Sequence, residues 1–190
     1  GGTSTDVSLV EAGRPAFTTS RLVADYPVRC PMLDINVIGA GGGSIAALDD
    51  AGALKVGPRS AGASPGPVAY GQGGTEPTTT DANLVLGRLD SDTLLSGRMQ
   101  VDKAAAREVI ESKIARPLGL GVEEAALGIL RIAVANMGRA IRAVSTEKGH
   151  RLQDFALFAY GGAGPLHAAA VAVETGMKTV IVPAQPGTMC

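Results

Sequence analysis

Alternating hydrophobic and polar residues in the first third of the chain predict β-structure there. Residues 6–9 alternate between the two classes, and "EAGRP" then reads as a turn. The run "AFTTSRLVADYPV" is rich in β-branched residues and extends the pattern to a hairpin or meander. "LDINVIGAGGGS" predicts a further strand that ends in glycines. "SIAALDDAGALKVG" predicts a hairpin that turns at residues 49–52.

The second half of the chain has the periodicity of helices. Asp102 is placed to cap a helix over "KAAAREVIESKIAR", which we expect Pro117 to end. Hydrophobic residues then recur at spacings of three and four, which predicts one long amphipathic helix. Its apolar stripe comprises Leu127, Leu130, Val134, Met137, Ile141 and Val144. Downstream, "DFALFAY", "LHAAAVAVETG" and "KTVIVP" predict a strand, a helix and a parallel strand.

Residues 57–80 form a long stretch without periodicity between these two regions. A loop of this length is a functional segment, a partner surface or a solvated linker, and the residues leave these alternatives open. Asp81 follows three threonines and predicts the N-cap of a short helix through "ANLVLGRL". A role for Asp81 as a catalytic acid is the less favoured interpretation.

Composition narrows the class of protein. The 190 residues suit one domain, and a hydrophobic fraction of 45% can form a core. A net charge of −1, no basic run and 3% aromatic residues argue against a nucleic-acid surface. No apolar run reaches the length of a membrane span. Cys30 and Cys190 fit neither a disulfide framework nor a zinc site, so we expect a cytoplasmic protein. Because the chain has no initiator Met, we interpret it as a fragment.

Three glycine-rich turns, at residues 1–6, 39–43 and 161–164, are the candidate sites of chemistry. Glycine lets backbone N–H groups approach an anion closely, and a helix that starts after the third turn adds partial positive charge. No turn matches the dinucleotide fingerprint or the P-loop. For each turn alone, tight packing is the favoured explanation. Together, the first and third turns have the layout of an actin-like nucleotide cleft.

The first turn also carries side chains suited to phosphate chemistry. Thr3, Ser4 and Thr5 offer hydroxyl groups to phosphate oxygens. Asp6 is the nearest carboxylate, and it could hold Mg²⁺ directly or through water.

Three long stretches resemble the hydantoinase/5-oxoprolinase family, specifically its hydantoinase A type of subunit. They are "GGTSTDVSLVEAGRP", the segment from "DINVIGAGGGS" to "LVLGRL", and "DFALFAYGGAGPLHAAAVA". The resemblance runs over residues 1–190 and implies an α/β fold. The implied fold is one actin-like ATPase (ribonuclease H-like) lobe, with a mixed sheet flanked by helices and a long loop at 57–80. Members use ATP to open cyclic amides such as hydantoins or 5-oxoproline, and relatives are subunits of acetone and acetophenone carboxylases.

The resemblance also implies roles for the residues of the three turns. Gly2, Thr3, Ser4 and Thr5 would lie near the β- and γ-phosphates of ATP. Asp6 would be the catalytic residue and the one near Mg²⁺. The residues against ribose, adenine and α-phosphate would be Gly161, Gly162, Ala163 and Gly164. Gly41 and Gly42 would bring the middle turn toward the nucleotide. The Asp that usually precedes the first turn and the family's first lobe are absent, so we expect this chain alone to bind ATP poorly.

The function implied is ATP-dependent hydrolysis of a cyclic amide, activated by phosphorylation of its ring carbonyl. We expect the partners to be the N-terminal lobe, a hydantoinase B-type subunit and further copies in an oligomer. One alternative is the ATP-using subunit of a ketone carboxylase. Another is a non-catalytic module that docks a partner through residues 57–80. For His167, near the third turn, packing or hydrogen bonding is favoured over a role as a base.

Overall fold

The chain forms an α/β fold of short strands and five α-helical segments in a computed structural model that describes residues 2–90 and 100–189. The first eight strands are β1 (Thr5–Ser8), β2 (Val10–Glu11), β3 (Arg14–Pro15), β4 (Phe17–Thr18), β5 (Arg21–Val23), β6 (Tyr26–Val28), β7 (Met32–Leu33) and β8 (Ile35–Ile38). The others are β9 (Ser44–Leu48), β10 (Leu54–Ser60), β11 (Ala156–Phe158) and β12 (Thr179–Ile181). The helices are α1 (Thr79–Val85), α2 (Lys103–Ile110), α3 (Arg116–Leu118), α4 (Val122–Val144) and α5 (Gly164–Thr175).

The β-structure predicted for the first third of the chain is present as a set of antiparallel ladders within residues 5–38. β1 pairs with β8 in the register Thr5↔Ile38 to Ser8↔Ile35. The smaller ladders β4–β7 and β5–β6 lie between these two strands in the sequence, with the hairpin β2–β3 beside them. The hairpin at residues 49–52 is confirmed, because β9 and β10 pair antiparallel around it. The βαβ prediction is confirmed as well, since β11 and β12 are parallel.

The helix that begins after Asp102 does not stop at Pro117. Asp102 is the N-cap as predicted, and its carboxylate accepts from Ala105 N–H at 2.9 Å. A π-helical turn over Glu111–Ala115 then leads into α3, which contains Pro117. Gly119, with φ +67°, provides the left-handed residue that ends the helix. The break therefore comes two residues later than Pro117 suggests.

The prediction that Asp81 is an N-cap is also wrong, by three positions. Thr78 caps α1, and its hydroxyl accepts from Asp81 N–H at 3.3 Å. The Asp81 carboxylate in turn accepts from Thr78 N–H at 2.8 Å. This reciprocal pair is a capping box, in which the acidic residue belongs three positions inside the helix.

Helix α4 joins two groups of buried hydrophobic residues. The first group, around Leu84, Ile110 and Ile129, lies between α4, α1 and α2. The second contains the buried side chains of Met137, Ile141, Leu152, Val171 and Met177. The predicted stripe of α4 is buried from Leu130 to Val144, whereas Leu127 is half-buried. Among residues 2–90 and 100–189, the helices lack the combination of length and apolar character that crossing a membrane requires.

Candidate functional site

The first glycine turn leads into β1, and hydrogen bonds to the middle turn hold it in place. Gly43 N–H donates to the Gly2 carbonyl at 2.6 Å. The Thr5 hydroxyl donates to the Ala40 carbonyl, also at 2.6 Å. A Cβ atom added to Gly2 would meet no other atom within 4 Å, so the space above this residue is open. The turn is thus held on one side and accessible on the other.

Residues 40–43 of the middle turn are buried against protein, whereas Gly39 is exposed. Gly42 accepts two hydrogen bonds on its carbonyl, from Thr80 N–H at 2.8 Å and from the Thr80 hydroxyl at 2.9 Å. Gly41 N–H donates to the Ser44 hydroxyl at 2.8 Å. A Cβ on Gly42 would lie 2.9 Å from the Thr80 hydroxyl oxygen, closer than real Cβ contacts. Close approach to the start of α1 therefore explains the glycine, and nucleotide contact by Gly41 and Gly42 stays a prediction.

The third turn, residues 161–164, presents the open N-terminus of α5. No side chain in the described part of the chain caps this helix, and Pro165 has no N–H to satisfy. Gly161 adopts φ +85° and its N–H donates to the Pro186 carbonyl at 2.8 Å. Added Cβ atoms on Gly162 and Gly164 would meet nothing within 4 Å. An uncapped helix start behind an open glycine turn is suited to an anion.

The first and third turns line the same cavity, which has a volume of about 780 Å³. Its polar lining comes from residues 2–6 together with Gly161, Ala163 and Gly164. Its apolar lining includes Met137, Ile141 and Val144 of α4 and Val171 of α5, together with residues 7–10 and 155–160. The structure thus brings together the two turns that are 160 positions apart in the sequence. The middle turn does not contribute to the described lining.

His167 also lines this cavity and is buried within it. Only 1% of its surface is exposed, and neither ring nitrogen has a hydrogen-bond partner among the described residues. Burial lowers the pKa of His167 to about 4, with the positive charge of Arg88 as a smaller cause. The imidazole is therefore neutral at pH 7, with one nitrogen able to donate and the other able to accept.

Asp6 is exposed on β1, opposite Val37. Within residues 2–90 and 100–189, no three His, Cys, Asp or Glu side chains converge on a point where a metal ion could bind. Mg²⁺ in nucleotide sites uses one or two carboxylates, with phosphate and water oxygens completing the shell. The donors present here thus fit Mg²⁺ only if a phosphate ligand accompanies it.

The Asp81 carboxylate accepts hydrogen bonds that could not be predicted from the sequence. It accepts from Ala69 N–H at 2.9 Å and from the Thr78 hydroxyl at 2.7 Å. A longer bond of 3.3 Å comes from Val68 N–H. The predicted loop at 57–80 is shorter in the structure, because β10 extends to Ser60 and α1 begins at Thr79. The contacts of Asp81 tie residues 61–78 to α1, and both Ala69 and Asp81 are buried. The solvated-linker interpretation of this loop is therefore wrong. The run of threonines before an acidic residue was the available signal for the capping box.

Comparison with known proteins identifies the family. The hydantoinase/oxoprolinase family model matches residues 1–190. The chain belongs to this family. It is 49% identical to caprolactamase subunit alpha of Pseudomonas jessenii, covering all of this chain and 27% of that protein. It is 47% identical to the acetophenone carboxylase gamma subunit of Aromatoleum aromaticum, covering 98% of this chain and 26% of that subunit.

A solved structure confirms the fold of this hydantoinase/oxoprolinase chain. The crystal structure of ATP-dependent caprolactamase from Pseudomonas jessenii superimposes with a TM-score of 0.91 at 49% identity. The match covers 98% of this chain and 27% of that one. The predicted fold class and the family resemblance are therefore confirmed. The chain spans about a quarter of the length of the caprolactamase and acetophenone carboxylase subunits.

Proposed function

We propose that this chain provides one side of an ATP site in an enzyme that opens cyclic amides. The observation that carries the proposal is the shared cavity, along which a hydroxyl-bearing glycine turn meets the uncapped N-terminus of α5. Similarity to an ATP-dependent caprolactamase supports it, because a caprolactam is a cyclic amide. The family description, hydantoinase/oxoprolinase, names enzymes of the same chemical class.

The residues of the two turns would divide the nucleotide between them. Gly2, Thr3, Ser4 and Thr5 would contact the β- and γ-phosphates with backbone N–H and hydroxyl groups. The α5 turn would contact ribose, adenine and α-phosphate through Gly161, Gly162, Ala163 and Gly164. Gly41 and Gly42 would bring the middle turn toward the nucleotide, next to the turn that binds the phosphates. These roles agree with the open space above Gly2, Gly162 and Gly164.

Asp6 would act as the catalytic and metal-binding carboxylate. Mg²⁺ would be held by this side chain, directly or through water, together with phosphate oxygens. Transfer of the γ-phosphoryl group to the carbonyl oxygen of the ring would release ADP and make the carbonyl carbon electrophilic. Water would then add to that carbon, phosphate would leave, and cleavage of the C–N bond would open the ring. The chain's own part would be to position the phosphates and to stabilise the charge that develops on the transferred group.

The rest of the enzyme would come from outside these residues. The proposed partners are an N-terminal lobe, a hydantoinase B-type subunit and further copies in an oligomer, in the cytoplasm. Three relatives are named as alpha, gamma or beta subunits, which supports a multi-subunit assembly. A carboxylase role is the second candidate, supported by the 47% identity to an acetophenone carboxylase subunit. A partner-docking role for the 57–80 loop, without nucleotide, is the third.

Substitution of Asp6 in the full-length protein tests the proposal. We expect Asp6→Ala to reduce substrate-dependent phosphate release from ATP at least 100-fold, because the metal loses its protein ligand. Asp50→Ala is the matched control, since Asp50 is an exposed carboxylate in the β9–β10 turn. The assay uses caprolactam, hydantoin and 5-oxoproline in parallel with acetophenone plus bicarbonate, with and without Mg²⁺.

Each outcome of this assay selects one function. Release with a cyclic amide supports the hydrolase, and release only with ketone and bicarbonate supports the carboxylase. Near-normal turnover by Asp6→Ala, with the circular dichroism spectrum unchanged, contradicts the assigned role of Asp6. If the full-length protein does not bind ATP·Mg²⁺ in calorimetry, the result supports the non-catalytic partner-docking function and contradicts both enzymatic functions.

A further inference from the structure

A single peptide unit of the middle turn connects the start of α1 to the first turn. The carbonyl of Gly42 accepts from the N–H and from the hydroxyl of Thr80, at 2.8 and 2.9 Å. The N–H of the same peptide unit belongs to Gly43 and donates to the Gly2 carbonyl at 2.6 Å. This peptide bond is trans, so its carbonyl and its N–H point in opposite directions. Thr80 and Gly2 therefore lie on opposite sides of one rigid unit.

The peptide unit between Gly42 and Gly43 needs these hydrogen bonds to hold its orientation. Glycine adopts a wide range of backbone angles, so neither residue restricts the rotation of the peptide plane. Thr80 supplies two of the three hydrogen bonds described for this unit, and its side chain is buried. The Thr80 hydroxyl thus helps to fix the direction in which Gly43 N–H points.

The next peptide unit, between Gly2 and Thr3, is oriented in the same way. Its carbonyl is directed at Gly43, so its N–H, which belongs to Thr3, points away from the middle turn. Within residues 2–90 and 100–189, Thr3 N–H has no hydrogen-bond partner. Gly2 and Thr3 both line the cavity, and the space above Gly2 is open. Thr3 N–H is therefore a donor on the accessible side of the first turn.

We propose that Thr80 is a positioning residue, which acts through these two peptide units to orient Thr3 N–H toward a phosphate of ATP. The inference rests on the proposed function for the identity of the ligand. Backbone N–H groups of glycine turns bind phosphate oxygens, and a donor that is already fixed loses little freedom on binding. Hydrogen bonds in series also polarise one another, so loss of one weakens the next. Thr80 is not among the residues that line the cavity, so its effect would be indirect.

Thr79 offers a matched comparison in the same helix. It is fully buried, and its hydroxyl donates to the Ser44 carbonyl at 3.4 Å, outside the two peptide units. Thr79→Val and Thr80→Val each replace a buried hydroxyl with a methyl group at the start of α1. Both variants should lower the melting temperature, whereas only Thr80→Val should change the first turn.

Calorimetric titration of the full-length protein with ATP·Mg²⁺ tests the proposal. We expect Thr80→Val to raise the Kd about 10-fold, and Thr80→Ser, which keeps the hydroxyl, to stay within about twofold of the unsubstituted protein. Thr79→Val should leave the Kd unchanged. Misfolding would lower the number of sites per chain and not the affinity of the folded sites, so the Kd separates positioning from a merely structural role. An unchanged Kd in Thr80→Val, or an equal rise in Thr79→Val, overturns the proposal.

Hydrogen exchange of the full-length protein is a second measurement, and its first part needs no variant. Exchange of the Thr3 amide should slow when ATP·Mg²⁺ binds, and in Thr80→Val the Gly43 amide should exchange faster even without nucleotide. If the unsubstituted protein binds ATP·Mg²⁺ and exchange of Thr3 is unchanged, this inference fails and the proposed function stands. If it binds no ATP·Mg²⁺, the proposed function fails and the ligand assigned to Thr3 fails with it. Exchange of Gly43 then still decides whether Thr80 orients the turn.

Discussion

His167 is buried, and neither ring nitrogen has a partner among residues 2–90 and 100–189. Its burial predicts a pH-dependent stability for the 190-residue chain. Its pKa is about 4 in the folded chain because of burial, with Arg88 contributing, against an ordinary value of 6.5. Between these values the unfolded chain binds the extra proton and the folded chain does not. Stability therefore rises with pH across this window and is lost as the pH falls through it. The difference between pH 7 and pH 5 should be about 2 kcal/mol.

Urea unfolding of the 190-residue chain at the two pH values measures this effect. His167→Gln, which cannot titrate, should show most of the dependence removed. His150→Gln is the control, because His150 lies beyond the C-terminal end of α4 and is only half-buried. An unchanged pH dependence in His167→Gln would mean that another group is responsible.

Asp81 is buried and accepts four hydrogen bonds that tie the 57–80 loop to α1. We expect Asp81→Asn to lower the free energy of unfolding by about 2–3 kcal/mol, because an amide NH₂ group then faces backbone donors. Asp102→Asn is the matched control. Asp102 is an N-cap that accepts from Ala105 N–H, and Asn caps helices as well as Asp does. Equal unfolding midpoints for the two variants would contradict the account.

At the scale of elements, the middle glycine turn is packed against protein, whereas the first and third turns are open. In Gly42→Ala the new Cβ would lie 2.9 Å from the Thr80 hydroxyl, which also bonds the Gly42 carbonyl. We expect a loss of about 1–3 kcal/mol in unfolding free energy. Gly162→Ala meets no atom within 4 Å and should be nearly neutral in stability. In the full-length protein it should instead weaken ATP binding, measured by calorimetry. A larger stability loss in Gly162→Ala than in Gly42→Ala would reverse the assignment.

Elements with local signals were predictable, and those set by distant contacts were not. The hydrophobic periodicity of α4 and the N-cap at Asp102 depend on residues close together in the sequence, so both could be predicted. The partner of β1 is β8, some 30 residues away, and hairpin signals between them gave no register. Asp81 was misplaced because a capping box and a simple cap share the same residue types. The nucleotide-binding roles of the glycine turns were predicted from the family resemblance. The burial of His167 without a described hydrogen-bond partner could be seen only in the structure.

At the scale of the whole molecule, α4 is the element that connects the candidate site to the rest of the fold. Its first half packs in the group with Ile110 and Ile129, beneath α1 and α2. Its second half carries Met137 and Ile141, which line the cavity. The turn at 39–43 makes a second connection, since it bonds both Gly2 and Thr80. The geometry of the site therefore depends on packing far from it.

A proline in the middle of α4 tests this dependence. Ala133 is fully buried in the first core group, and its neighbour Val134 belongs to the second. Ala133→Pro removes a backbone hydrogen bond and clashes with the preceding turn, which costs about 3 kcal/mol or more. We expect hydrogen-exchange protection to fall in α1 and in α5 together, because both pack on this helix. Val122→Pro is the control, since Val122 is the first residue of α4 and Gly121 before it is extended, as a residue before proline prefers. If protection falls in only one group, the two groups are independent, and the cavity does not rely on the first.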